Sequence, residues 1–117
     1  MTTAREAFEA KKLATKYGIT GKVAGAYRTA GYHVEMVSTE DQAPYNFIAS
    51  KKGERLIVKV YSRTGRVPVE VAESLASAAA EKNAKPILVL YGSGPKVTAE
   101  LIDKAKQLGV SVRRFRS

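Results

Sequence analysis

Basic side chains are concentrated in two parts of this sequence, and the chemistry that they offer is the binding of phosphate. The two groups are Lys51, Lys52, Arg55, Lys59, Arg63 and Arg66, followed at the end of the chain by Arg113, Arg114 and Arg116. Lysine and arginine neutralise phosphates, which gives an affinity that falls steeply with salt and carries little base-sequence information. Tyr45, Tyr61 and Phe115 lie among them and could stack on the bases of a distorted or single-stranded segment. The pattern predicts a nucleic-acid-binding surface, with DNA favoured over RNA.

The composition of the whole chain agrees with this prediction. Twenty Lys and Arg against eleven Asp and Glu give a net charge of +9, which favours a polyanionic partner. No apolar run approaches the roughly 20 residues that span a bilayer, so we expect a cytoplasmic protein with no membrane partner. The absence of cysteine and the single histidine, His33, exclude thiolate and histidine-rich metal sites. Few Asn and Gln and no Cys are typical of a thermophile.

Two helices are predicted at the start of what we expect to be one domain, residues 1–117. Apolar spacing predicts a first helix from Thr3 to Tyr17, ended by Gly18. A second helix is predicted from about Lys22 to Ala30. The first, within residues 1–19, would be an addition to the rest of the domain.

The remainder of the chain alternates between strand and helix patterns. In chain order the predicted elements are the strands "YHVEMV", "YNFIAS" and "RLIVKVYS", a helix from Val69 to Asn83, the buried strand "KPILVLYG", the helix "AELIDKAKQLG" with Thr98 as its cap, and the strand "VSVRRFR". The order α-α-β-β-β-α-β-α-β predicts the α/β class: a mixed sheet of about five strands flanked by helices. The last strand–helix–strand unit should be parallel and right-handed.

This order and its residues resemble the PD-(D/E)xK nuclease superfamily, which has the restriction endonuclease-like fold. The resemblance is strongest to Mrr-type restriction endonucleases and archaeal Holliday-junction resolvases, and it runs from about Thr20 to Arg116. The segments that carry it are "AGYHVEMV", "APYNFIASKKGERLIVKVYSR", "VEVAESLASAAAEKNAKPILVLYGSG" and "TAELIDKAKQLGVSVRRF". It implies an Asp on the second strand and a Glu or Gln two residues before a Lys on the third. In active members these residues gather Mg²⁺ and an attacking water.

The positions that the resemblance assigns to catalysis hold other residue types. Asn46 falls at the Asp position, Lys59 at the Glu or Gln position and Tyr61 at the Lys position, while the helical Glu of many resolvases falls on Thr20. Asn46 offers only a neutral oxygen, and Lys59 places a cation where a dication should bind. We therefore expect no catalytic residue, no metal and no small-molecule cofactor, with Lys59 and Tyr61 pointing into a basic cleft.

The main hypothesis is a catalytically inactive nuclease-fold protein, acting as a homodimer, that recognises the structure or backbone of nucleic acid. Three alternatives remain open. Relocated acidic residues, Glu70 and Glu73 above all, would make the chain an active nuclease with Mg²⁺ as its cofactor. "LATKYGITGKVAGAYRTAGY" has the pattern of a helix-turn-helix regulator, with Lys22 and Arg28 available for DNA contact. The alanine-rich helix "AESLASAAAEK" would suit a non-catalytic scaffold or partner subunit.

Overall fold

The computed structural model describes residues 4–116, in which a five-stranded mixed sheet carries helices on both faces. Thr3, the first residue of the predicted first helix, lies outside the described residues. In chain order the elements are α1 (Ala4–Thr29), β1 (His33–Met36), β2 (Phe47–Lys51), β3 (Glu54–Tyr61), β4 (Gly65–Arg66), α2 (Val69–Lys82), β5 (Lys85–Tyr91), β6 (Pro95–Lys96), α3 (Ala99–Leu108) and β7 (Ser111–Phe115). The predicted fold class is confirmed. The two-residue strands β4 and β6 were not predicted, because segments this short have no periodicity.

The sheet has the strand order β1-β2-β3-β5-β7. The first three strands form an antiparallel meander, and β3, β5 and β7 are parallel. Strands β2 and β3 are joined by a two-residue turn in which Lys52 and Gly53 both have positive φ, at 51° and 82°. Such turns match the twist of a hairpin. The carboxyl ends of the three parallel strands lie at one end of the sheet, and the β2–β3 turn lies at the opposite end.

Helix α1 is broken at Gly18, whose φ of 63° and ψ of −135° are not helical. The break separates two arms that fold back on each other, where the sequence predicted two helices. Glycine makes their close approach possible. A Cβ added at Gly21 would lie 2.0 Å from the carbonyl oxygen of Leu13, and one at Gly25 would lie 2.9 Å from that of Ala10. The two glycines, four residues apart on one helix face, form the contact surface of the second arm.

Both faces of the sheet are buried. Helices α2 and α3 cover one face, where Ile57 and Leu88 of the sheet pack with Leu75 of α2. On the other face, Val23 in the second arm of α1 packs with a cluster that includes Phe47. The alternation in β3 assigned its residues to the two faces correctly. Among the described residues, no helix is both long enough and apolar enough to cross a bilayer.

Candidate nucleic-acid interface

Asn46, at the position where the resemblance expects a catalytic carboxylate, is a buried connector between β3 and the segment after β1. Its side chain is 1% exposed. The Oδ1 atom accepts a hydrogen bond from the backbone N–H of Val60 at 2.7 Å, and Nδ2 donates to the carbonyl of Ser38 at 2.9 Å. Its own backbone N–H donates to the carbonyl of Val58 at 2.7 Å. The amide needs both its donor and its acceptor here, so this residue type suits a structural role.

Lys59 is also buried, with 3% of the residue exposed. Its Nζ donates to the carbonyls of Asp41 at 2.6 Å and Ala43 at 2.8 Å. Burial lowers the pKa of the Lys59 ammonium, and the nearby Asp41 carboxylate acts in the opposite direction. The prediction that Lys59 points into an open basic cleft and contacts phosphate is therefore wrong. Period-two alternation predicted the face of β3 on which Lys59 lies. The segment 37–46 covers Lys59 on that face, and its carbonyls accept the hydrogen bonds of the ammonium.

Tyr61 and Thr20, the other two positions of the implied catalytic set, are likewise part of the packing. Tyr61 is half-buried against the cluster between the sheet and α2–α3, and Thr20 is buried in α1. Of the acids considered for a relocated site, Glu73 lies 3.4 Å from Lys104 and Glu70 is exposed in the first turn of α2. Within residues 4–116 no group of three or more His, Cys, Asp or Glu side chains could hold a metal ion.

The predicted basic residues do not form one surface, because β3 separates them. At the β2–β3 turn lies the hairpin end, which we define as Lys51, Lys52, Arg55, Lys82 and Lys85. At the carboxyl ends of the parallel strands lies the loop surface, defined as Arg63, Arg66, Lys96, Arg113, Arg114 and Arg116. The eight residues of β3 separate the two ends by roughly 23 Å at the usual rise of a strand.

The cations of the hairpin end are largely engaged within the protein. The Nζ of Lys51 donates to the carbonyl of Ala30 at 2.8 Å. Lys85 lies 3.3 Å from the carboxylate of Glu54. Arg55 donates to a carbonyl at the end of α2 at 3.4 Å. These contacts hold the turn against the helices, and they reduce what this end can offer to a ligand.

The loop surface is held together by Arg114 and by the small β4–β6 sheet. The guanidinium of Arg114 donates to the carbonyls of Gly92 at 2.6 Å and Pro95 at 2.8 Å, which ties the loop after β5 to β7. Arg66 and Lys96 are register partners in the parallel pair β4–β6, so the loops after β3 and β5 are also joined. Together these contacts place cations from three separate chain segments side by side.

Acidic residues are absent from the segments that form this surface. Residues 62–68, 91–98 and 109–116 contain six of the twenty basic residues and none of the eleven acidic ones. The nearest acids in sequence are Glu70 and Glu100, in the first turns of α2 and α3. The amino ends of both helices lie at this same end of the sheet and add positive potential there.

Among the loop-surface arginines, Arg114 alone has a described side-chain hydrogen bond, and Arg113 lies near Tyr27 on the face that carries α1, so the other three are the ones most available to a ligand. Arg63, Arg66 and Arg116 are exposed, and none has an ion pair or a side-chain hydrogen bond with another residue of the described range. The guanidinium of Arg114, by contrast, is hydrogen-bonded to backbone carbonyls. It is a positioning residue for the loops.

An aromatic pair borders the loop surface on the face that carries α1. The rings of Tyr91 and Phe115 stack with centroids 5.7 Å apart and planes at 18°. Both side chains are half-buried at the ends of β5 and β7. Sequence reasoning proposed Phe115 for stacking on bases and missed Tyr91, although the latter's position at the end of a buried strand next to a glycine loop was a usable signal. Arg113 lies on this face and is close enough to Tyr27 to oppose the burial that raises the pKa of its phenol.

The arms of α1 do not form a helix-turn-helix. Glu9 pairs with Arg28 and Ala10 lies against Gly25, so the arms run antiparallel along their length. A DNA-binding helix-turn-helix instead crosses its helices at about 90–120°. The proposed contact residue Arg28 is held by Glu9 and by the carbonyl of Tyr32 at 3.2 Å, and the inner face of the second arm is buried on the sheet. The helix-turn-helix hypothesis is therefore wrong for this segment.

Comparison with known proteins gives similarity in fold. No protein-family model matches the sequence, and a search of curated proteins gives no match. Among solved structures the chain is similar to that of SfsA from Pyrococcus furiosus in complex with Ca²⁺, with a TM-score of 0.50 and 12% sequence identity. The alignment covers 96% of this chain and 56% of SfsA, so the chain spans little more than half the length of that protein. At this identity the similarity concerns the arrangement of helices and strands alone.

Proposed function

We propose that this chain is a nucleic-acid-binding protein of nuclease-like fold, which holds DNA or RNA by its phosphates and does not cut it. One observation carries the proposal. Three chain segments with six basic residues and no acid are joined into a single surface by the Arg114 hydrogen bonds and the β4–β6 pair. A surface of this kind is attracted to a polyanion over its whole width.

The residues of the loop surface suit backbone recognition. Arg63, Arg66 and Arg116 have exposed guanidinium groups with no hydrogen bond or ion pair among the described residues, and a guanidinium can pair with two phosphate oxygens at once. Contacts to phosphates position a protein without reading base sequence. The stacked pair of Tyr91 and Phe115 at the border of this surface offers an apolar ring face to an unstacked base. Binding directed by structure or backbone therefore fits better than sequence readout.

The absence of cutting is proposed from the chemistry at the centre of the sheet. Asn46 uses both ends of its amide on backbone groups, and the ammonium of Lys59 occupies the space beneath the segment 37–46. Neither side chain offers a carboxylate to Mg²⁺, which prefers several oxygen ligands at short distance. We therefore place binding first and a nuclease with relocated acids, in which Glu73 would be the first ligand to test, second.

The test is a salt titration of binding by fluorescence anisotropy, using duplex, four-way-junction and single-stranded DNA and a matched RNA. We expect binding in EDTA, with affinity falling by orders of magnitude between about 50 and 200 mM salt because several phosphates are contacted. The predicted preference for DNA is checked in the same series. Sedimentation of the free and bound protein checks the predicted homodimer.

Two results would contradict the proposal. Absence of binding to every probe at low salt would remove nucleic acid as the partner. Product that appears only with Mg²⁺ or Mn²⁺ would instead establish a nuclease. In that case a Glu73→Gln variant that loses cleavage while it retains binding would assign the relocated site.

A further inference from the structure

A second basic site lies beside the edge strand β1, in a cleft of about 510 Å³ between this strand and the first arm of α1. Among the described side chains, its lining includes Arg5, Lys12, Lys16 and Arg28 as cations, and Glu9 as a carboxylate. Strand β1 is one edge of the sheet and β7 is the other, so this cleft and the loop surface are separate. Sequence reasoning did not find it, because its residues come from parts of the chain that only the folding back of α1 brings to β1.

The carboxylate of Glu9, the one acid among the described side chains of the cleft, is already engaged by two arginines. Glu9 accepts hydrogen bonds from Arg28 and, at 3.4 Å, from Arg5. The hydrogen bond from Arg28 lowers the pKa of Glu9, so this side chain is a carboxylate at neutral pH. Arg28 is fixed further by its bond to the carbonyl of Tyr32 at 3.2 Å. These contacts hold one wall of the cleft in place, and the negative charge of Glu9 is already paired with the two arginines.

Two lysines line the cleft from the same arm of α1. Lys12 and Lys16 are four residues apart on the first arm, where like charges repel and destabilise a helix. Neither has an ion pair with another residue in the described part of the chain. Lys16 lies 5.4 Å from the centroid of the Tyr17 ring, which also lines the cleft. An anion between the two lysines would relieve their repulsion.

We propose that this cleft binds a phosphate group carried by a nucleoside. Lys12 and Lys16 contact the phosphate, and Tyr17 and His33 flank the attached nucleoside. The volume falls within the range of clefts that accept small molecules, about 300–1,000 Å³. A free nucleoside monophosphate and the 5′-phosphorylated end of a nucleic acid present the same chemistry. The inference extends beyond the proposed function, since it needs no residue of the loop surface.

The experiment is calorimetric titration of the full chain with the loop surface neutralised by Arg63→Gln, Arg66→Gln and Arg116→Gln. The probes are a nucleoside, its 5′-monophosphate, inorganic phosphate, and a dinucleotide with and without a 5′-phosphate. We expect the monophosphate to bind more tightly than both the nucleoside and inorganic phosphate. Binding of the 5′-phosphorylated dinucleotide alone also supports the site and identifies a nucleic-acid end as its ligand.

A matched pair of double variants locates the binding. Lys12→Gln with Lys16→Gln should weaken monophosphate binding by at least about tenfold, because two charged hydrogen bonds are removed. Lys11→Gln with Lys22→Gln removes the same charge from exposed positions of α1 outside the cleft and should change binding less than about twofold. Equal effects of the two double variants, equal binding of the phosphate-free nucleoside, or no binding of any phosphorylated probe would overturn the site. Because the loop surface is neutralised in every sample, these results do not depend on whether that surface binds nucleic acid, which the anisotropy series tests separately.

Discussion

The two ends of the central sheet carry similar numbers of cations but differ in what those cations do. At the hairpin end, Lys51, Arg55 and Lys85 are hydrogen-bonded or paired within the chain. At the loop surface, Arg114 is the one cation whose side chain donates a hydrogen bond to another described residue. Its acceptors are the carbonyls of Gly92 and Pro95, and these bonds orient the loops. A cation that is hydrogen-bonded or paired within the protein is less available to a ligand. The count of basic residues therefore does not identify an interface until their partners are known.

Lys59, between the two ends, is the extreme case of an engaged cation. The resemblance to nucleases placed it at the centre of an expected groove, yet both of its described hydrogen bonds go to carbonyls of the segment 37–46. Desolvation of a buried ammonium is costly unless it is hydrogen-bonded. The carbonyls of Asp41 and Ala43 provide those bonds, so the lysine stabilises the segment that hides it.

Neutralising the loop surface should give the largest effect. Arg63→Gln, Arg66→Gln and Arg116→Gln together should weaken DNA binding on the order of 100-fold near 0.1 M salt and lower the salt slope by about 0.9 for each phosphate that is no longer neutralised. The matched control, Lys52→Gln, Arg55→Gln and Lys85→Gln, removes the same charge from the hairpin end and should change affinity by only a few fold. Equal reductions of affinity in the two anisotropy titrations would abolish the distinction between the ends.

Removing the buried cation should destabilise the fold without touching the interface. Lys59→Met should lower the free energy of unfolding by about 1–3 kcal/mol, because two carbonyls lose their donor. Its affinity for DNA should stay within about twofold of the original. Urea unfolding and anisotropy measure the two quantities, with exposed Lys52→Met expected to shift stability by less than about 0.5 kcal/mol. A variant that is stable but binds poorly would return Lys59 to the interface.

Arg114 should behave as a positioning residue. Arg114→Lys keeps the charge but cannot donate to the carbonyls of Gly92 and Pro95 in the same forked geometry. We expect affinity to fall about tenfold with a salt slope close to the original, since the number of neutralised phosphates is unchanged. Hydrogen exchange should quicken at the loop after β5. A fall in slope of the size that one phosphate accounts for would show instead that Arg114 binds the ligand directly.

The smallest effect should be a dependence of stability on alkaline pH. Burial lowers the pKa of Lys59 in the folded chain, while the unfolded chain keeps a value of about 10.4. Between these two values the unfolded chain binds more protons, so stability contributed by this group rises with pH and is lost as pH falls through the folded-state pKa. Unfolding free energies of the original chain and Lys59→Met, measured in parallel, should therefore diverge in favour of the original at high pH.

Much of the fold could be predicted because its signals are local. Period-two alternation placed Leu56 and Ile57 on opposite faces of β3, and the turn at Gly53 lies where its residue type indicates. The break in α1 falls at Gly18, where the first helix was expected to end. Neither the folding back of the two arms nor the β4–β6 pair could be predicted, since both depend on contacts between separate segments and not on a pattern within one segment.

The site was predicted less well, and distance along the chain explains the error. Lys51 and Arg66 lie close together in sequence, yet a strand carries the chain across the sheet between them and leaves them at opposite ends. Arg66 and Lys96 are far apart in sequence, yet they are register partners. Spacing in sequence reflects neighbourhood along a helix face or across a turn, and it fails wherever a strand intervenes.

The sequence by itself determined the mixed α/β class, the order of the main elements and the excess of positive charge, because propensity, periodicity and composition act locally or by summation. The tertiary structure alone decided which cations are free. That choice depends on the burial of Lys59 beneath the segment 37–46, the pairing of Arg28 with Glu9 and the pinning of the loops by Arg114. Hydrogen bonds and ion pairs between distant segments form only when the core brings those segments together.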